Sequence, residues 1–240
     1  MGDSTGLYDP SFEHDACGLG TVVSLDGVAS HDVVEQALTV LERLDHRGAT
    51  GADPETGDGA GLLLQMPHRF LARVAAEEGI DLPAAGDYGI GMVFLPHDAT
   101  TRLRCNEICV RTVAEEGHRA VGWREVPVVP EAIGPLARAT APIVRQLIIE
   151  RRHGSADDFE RKLYVIRRRI QKAVHAAGIA DRDFAIPSMS SRTLVYKGLL
   201  RATQVRAYYP DLTDPDVESA LADRKSTRLN SSHSQQSRMP

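Results

Sequence analysis

Two positions carry residue types that could do covalent chemistry together. Cys17 stands in the context Asp15-Ala16-Cys17-Gly18, and Arg47, thirty positions later, lies in His46-Arg47-Gly48-Ala49 at the opening of a glycine-rich stretch. A cysteine that becomes the first residue of a chain carries its own general base. Its α-amine, with a pKa of about 7.7–8.0 in solution, can take the thiol proton, so no histidine partner is required. Small Ala16 before the bond and flexible Gly18 after it leave room for the cleavage that would free that amine. The other reading of Cys17 is a small buried apolar side chain at the start of a strand. Arg47 could grip the carboxylate of an amino-acid substrate through a bidentate fork. It could equally be a surface arginine paired with Asp45 or Asp53.

Other candidates are weaker. Cys105 and Cys109 are four apart on an expected helix and share a face, but no second Cys/His pair follows at a ligand-like interval, so they read as structural. Gly18-Leu19-Gly20 lacks a third glycine and precedes a strand where a dinucleotide loop would follow one. Gly57-Asp58-Gly59 lacks the lysine of a phosphate loop and reads as a turn. His14 reads as an exposed side chain.

The elements around these residues follow from apolar spacing. Residues 18–25 (GLGTVVSL) read as a short buried strand. Ser30 then caps a helix ending near Arg43, whose Val33, Val34, Ala37, Leu38 and Leu41 fall on one face. A Gly/Asp/Thr-rich segment follows, where the backbone must turn repeatedly. Strands are expected at 62–65, 88–95, 120–129, 143–149, 193–196 and 205–208. Helices are expected from Pro67 to about Glu78, from Asp98 through Ala114, and from a Ser155/Asp158 capping box to about Ala177. Phe159, Leu163, Ile166, Ile170 and Val174 line the last helix, and most of the run Arg167, Arg168, Arg169 is solvated. Strands alternating with helices indicate a layered α/β or α+β domain.

The chain has 240 residues, 42% hydrophobic and 25% charged, enough for one domain with a real core. A net charge of -5 gives no reason to expect nucleic acid or an anionic membrane as partner. Three cysteines and no apolar leader in residues 1–16 suit a reducing, cytoplasmic setting. From Asp223 the character changes: DRKSTRLNSSHSQQSRMP has no periodicity and almost no apolar residues. DRKSTRLNSSH corresponds to an in-frame translation of a common sequencing-library adapter. Residues 237–240 (SRMP) correspond to its fixed segment beyond a variable index. Residues 223–240 are therefore expected to be a non-native, disordered tail that packs against nothing.

CGLG at 17–20, LERLDHRGATGADPETGDGAGLLLQ at 41–65, SSRTLVYKGLL at 190–200 and YYPDL at 208–212 occur in that order. In this combination the chain resembles the amino-terminal glutamine amidotransferase domain of glutamate synthase large subunits. The resemblance implies an α+β fold, the four-layer αββα sandwich of N-terminal-nucleophile hydrolases, incomplete at its C-terminal end. Cys17 would be the nucleophile. Arg47, with Gly48 beside it, would bind the substrate, L-glutamine. Residues 1–16 would be a propeptide and 17–222 the domain proper. The thiolate would attack the glutamine side-chain amide, ammonia would leave, and water would hydrolyse the thioester. Ammonia would then aminate 2-oxoglutarate in downstream synthase domains of the same chain. FMN and an iron–sulfur cluster are implied for the full-length protein but not for this segment, and a small NAD(P)H-oxidising subunit is a possible partner. The family continues with His-Ser-Arg-Phe-Ser-Thr-Asn-Thr and a His-Asn-Gly-Glu segment that supplies the oxyanion hole; neither run occurs here. Inactivity of the 240-residue chain is therefore expected. The alternatives are another N-terminal-cysteine amide hydrolase and a non-functional fragment.

Overall fold

The computed structural model describes residues 18–45, 53, 55–57 and 59–226. In chain order these form β1 (Gly18–Val23), α1 (His31–Arg43), β2 (Ala60–Gln65), α2 (His68–Glu77), β3 (Tyr88–Leu95), α3 (Ala99–Glu115) and β4 (Arg119–Glu125). There follow α4 (Pro135–Thr140), β5 (Ile143–Glu150), α5 (Ala156–Ala176), β6 (Ala185–Ser190), β7 (Thr193–Gly198), α6 (Val205–Tyr208) and β8 (Leu221–Ser226). The strands make two four-stranded sheets, one in the order β1-β8-β2-β7 and the other in the order β4-β5-β3-β6. Their described pairings are all antiparallel. This is an α+β fold.

The second sheet is buried on both faces. Tyr88, Ile90 and Met92 of β3 point into a core shared with β2, β7, α1 and α2. Val93 and Leu95 point the other way, against α3 and α5. That two-sided burial explains why β3 and β5 read as near-continuous apolar runs. The helices covering the sheet carry the expected signals. Asp98 accepts the Thr101 backbone N–H at the start of α3, and Ser155 with Asp158 forms a reciprocal capping box on α5. Cys105 and Cys109 both lie on the buried face of α3. Burial pushes the Cys105 thiol up to about 11 and raises that of Cys109 as well, so both stay protonated near neutrality.

The first sheet is one-sided. Leu62, Leu64, Leu194, Tyr196 and Ala222 are buried. Leu19 and Val23, on the opposite face of edge strand β1, are 65% and 51% exposed. The expectation of a buried strand at 18–25 is corrected accordingly: the strand ends at Val23, and the face that carries Leu19, Thr21 and Val23 is exposed.

Three further expectations change. Residues 205–208 are helical, because Val205 and Tyr208 are both buried while Arg206 reaches Glu35 and Glu42 of α1. A strand would send Val205 and Tyr208 to opposite faces. The strand expected at 120–129 ends at Glu125. Asp223, Arg224, Lys225 and Ser226 do not pack against nothing: their backbone completes β8, paired with β1 on one side and β2 on the other. Backbone pairing is indifferent to side-chain type, so a charged sequence can fill a ladder that two neighbouring strands leave open. The remainder of that expected tail, 227–240, lies outside the described residues.

Candidate functional site

Four strand ends of the first sheet meet in one cross-strand row. Gly18 lies opposite Ser226, Ser226 opposite Ala60, and Ala60 opposite Gly198. Adjacent strands are about 4.8 Å apart, so the start of β1 and the start of β2 are roughly 10 Å from each other. Cys17 is the residue joined to Gly18, and the glycine-rich segment is the one that enters β2. Cys17, Arg47 and Gly48 themselves lie outside the described residues. What the structure gives is the frame from which they extend.

That frame is tied at several points by residues 199–206. Arg201 holds Asp45 at 2.5 Å, immediately before His46-Arg47. The Gln204 side chain uses both ends of its amide: its oxygen accepts from the Arg201 N–H at 2.8 Å, and its nitrogen donates to the Glu55 carbonyl at 2.7 Å. Gly57 sits so close to the Leu200–Arg201 peptide that a Cβ would run into the Leu200 carbonyl and the Arg201 nitrogen. Only glycine permits this approach. Asp53, one alternative partner for Arg47, accepts from the Glu55 N–H at 2.9 Å and the Thr56 hydroxyl at 2.8 Å, and these hold its carboxyl below the usual range. Thr56 in turn accepts the Ala137 N–H of α4 at 3.3 Å.

Behind the row, a buried polar group joins the two sheets. Arg124 of β4 makes two parallel bonds of 2.8 Å to Asp211 and a third, of 3.1 Å, to Gln146 of β5. Tyr196 of β7 donates to the same Asp211 at 2.8 Å. Arg124 and Asp211 are each 4% exposed. Burial pulls the guanidinium down, and the Asp211 contacts more than offset it, so Arg124 stays charged. Burial also raises the Tyr196 hydroxyl, keeping it a donor. Tyr209, two residues before Asp211, donates to the Lys197 carbonyl at 2.8 Å. A cavity of about 180 Å³ opens beside this end of β7, lined among others by Phe94, Val144, Lys197, Gly198, Leu200 and Tyr209.

Sequence reasoning missed Arg201, Gln204, Arg124 and Asp211 as parts of this frame. YYPDL and the lysine–glycine end of β7 were visible as motifs, but pairs such as Arg201–Asp45, 156 positions apart, leave no local pattern. Among the described residues, no helix is long and apolar enough to cross a membrane, and no group of three His, Cys, Asp or Glu is placed to hold a metal ion.

The strand-end row, with a cysteine joined to β1 and a glycine-rich segment entering β2, belongs to a known class of domain. Residues 17–230 match the model of the class-II glutamine amidotransferases, and the chain belongs to that family, whose fold is of the N-terminal-nucleophile type. More particularly, it is similar to the N-terminal region of glutamate synthase large chains. It is 44% identical over 224 residues to the glutamate synthase [NADPH] large chain of Bacillus subtilis, covering 92% of this chain and 14% of that one. It is 41% identical over 223 residues to the corresponding chain of Azospirillum brasilense, covering 91% and 14%. It is 37% identical over 217 residues to a ferredoxin-dependent glutamate synthase of Arabidopsis thaliana, covering 90% and 13%. The chain thus spans about a seventh of the length of these relatives. A glutamine amidotransferase domain implies glutamine as substrate.

Proposed function

We propose that this domain hydrolyses the side-chain amide of glutamine through Cys17, as the ammonia-supplying part of a glutamate synthase. The observation that carries the reading is the row Gly18–Ser226–Ala60–Gly198, which brings the residue after Cys17 and the strand after the Arg47 segment to one end of one sheet. Removal of residues 1–16 frees the Cys17 amine to take the thiol proton. The thiolate sulfur bonds to the amide carbon, ammonia leaves, and water then cleaves the γ-glutamyl thioester to release glutamate and the thiol. Arg47, with Gly48 beside it, receives the α-carboxylate.

In the complete protein the ammonia goes on to aminate 2-oxoglutarate in further domains, with reducing equivalents entering through a small NAD(P)H-oxidising subunit or from ferredoxin. FMN and an iron–sulfur cluster belong to those further domains. The two described thiols, Cys105 and Cys109, are both buried in one helix face and do not make a four-cysteine ligand set. The test is glutamate release from glutamine by the full-length protein. Cys17→Ala should abolish it, and intact mass should show Cys17 as the first residue. Arg47→Ala should lower kcat/KM roughly ten- to a hundred-fold, the value of a charge-assisted contact of about 1.5–3 kcal/mol. Full activity with residues 1–16 attached would overturn the mechanism.

A further inference from the structure

The cavity at the end of β7 is walled by residues of both sheets, Phe94 of β3 and Val144 of β5 on one side and Gly198 of β7 on the other. Ile133, Leu200 and Tyr209 add further apolar wall, each 5% exposed or less. Lys197, Arg182 and Asp183 also border it, but all three are exposed, which puts the charge at the mouth.

The inner polar group is the hydroxyl of Tyr208. Tyr88, Tyr196, Tyr208 and Tyr209 are all nearly fully buried, and three of them have occupied hydroxyls. Tyr88 meets His68 Nδ1 at 3.0 Å, Tyr196 donates to Asp211 at 2.8 Å, and Tyr209 donates to the Lys197 carbonyl at 2.8 Å. Tyr208 is 3% exposed, lines the cavity, and makes no side-chain hydrogen bond among the described residues. Its ring stands edge-on to that of Tyr209, with centroids 4.8 Å apart, which fixes its orientation. Burial raises its pKa, so the hydroxyl stays protonated and can both donate and accept. A buried hydroxyl without a partner is costly. Water is a poor answer here, because a buried water needs about two to four polar partners. The other hydroxyl on the lining, that of Thr140, is already turned to the Leu136 and Ala137 carbonyls at 3.3 Å. An apolar cavity of about 150 Å³ is large enough for benzene. This one holds about 180 Å³.

We propose that the cavity is a binding site for a small uncharged phenol, its ring against Phe94, Val144 and Leu200 and its hydroxyl bonded to that of Tyr208. The volume sets one six-membered ring with room for little else. The apolar walls exclude a charged group, which would lie inside without a counter-ion. The site takes no part in the glutamine chemistry above and does not depend on that reading.

The experiment titrates the full-length protein with phenol, and with toluene as the probe that lacks the hydroxyl. Wild type, Tyr208→Phe and Ala137→Leu are compared by calorimetry, each with a melting curve. Phenol should bind wild type saturably, with Kd of about 1 mM or tighter. Tyr208→Phe keeps the ring and removes only the hydroxyl. It should weaken phenol roughly ten-fold while toluene stays within about two-fold. Ala137→Leu places new methyl groups on the cavity wall and should abolish binding of both probes in a folded protein. If that variant does not fold, the Tyr208→Phe comparison decides alone. Phenol binding that falls no more than toluene binding in Tyr208→Phe would overturn the proposal, because the hydroxyl would then recognise nothing. The absence of saturable phenol binding to wild type would overturn it as well.

Discussion

The two sheets are built to different specifications. In the second, β3 and β5 lie side by side over eight residue pairs, both faces are buried, and α3 and α5 close one side. In the first, the edge strand shows Leu19 and Val23 to solvent, and a strand containing Asp223, Arg224 and Lys225 occupies an interior position. The strand-end row belongs to this first sheet. The difference teaches where rigidity is placed. A sheet packed from both sides supplies the cohesion, and the sheet whose β2 continues from the glycine-rich segment keeps Leu19 and Val23 in water. The Arg124–Asp211–Tyr196 group fastens the second to the first.

The sharpest way to break this comparison is at that fastening. Asp211→Ala leaves the Arg124 charge buried without its partner and should cost about 3–5 kcal/mol in denaturant unfolding. A loss below about 1 kcal/mol would mean the sheets are held by apolar contact alone. Next in size is the contrast between Leu147→Ala in the second sheet and Leu19→Ala in the first. The former removes a fully buried side chain and should cost about 3 kcal/mol; the latter, mostly in water, less than about 0.5. Equal costs would erase the distinction between the sheets. Gly57→Ala should cost about 1–3 kcal/mol, because backbone of residues 200 and 201 must yield to the new methyl group. Smaller still is Asp223→Val. Aspartate is a poor strand residue, here accepting the Thr21 hydroxyl at 3.0 Å, and valine should raise stability by a few tenths of a kcal/mol, up to about 1. A lower melting temperature would show that the hydroxyl contact outweighs strand preference.

The smallest effect is read through pH. The Ser155 hydroxyl, then Arg161, hold the Asp158 carboxyl down to about 2 in the folded chain. A depressed carboxyl contributes stability that is complete above its unfolded pKa of about 3.9 and is lost as pH falls through the folded value. Asp158→Asn should flatten the stability profile between about pH 4 and 2. An unchanged slope would place the acid sensitivity elsewhere.

The second sheet and its helices were the more legible half. Phe159, Leu163, Ile166, Ile170 and Val174 repeat at helical spacing because one helix face meets one sheet, and that pattern is local. β6 escaped notice because Ala-Ile-Pro-Ser-Met-Ser carries a proline, tolerated here on an edge strand beside a register shift. Residues 205–208 misled because valine and tyrosine favour strands in general, while burial at i and i+3 decides in particular. Asp223 to Ser226 misled for the opposite reason: their composition suggested no structure, and pairing on both sides supplied it. Cys17 and Arg47 are singled out by the sequence only in combination with neighbouring motifs, and both lie outside the described residues. Arg201 and Asp211 were not recognisable at all, since each acts through a partner in another element.

The position of β8 also fixes an order of events during synthesis. The second sheet uses residues 88–190 and can close as soon as these have left the ribosome. β1 and β2 cannot pair with each other, because β8 lies between them, so each waits with an open edge for residues 221–226. Such long-range pairing is slow, and open edges invite association with other chains. The end of the sheet that carries Cys17 is thus among the last parts of the domain to take shape, and any removal of residues 1–16 that depends on a finished site must follow it.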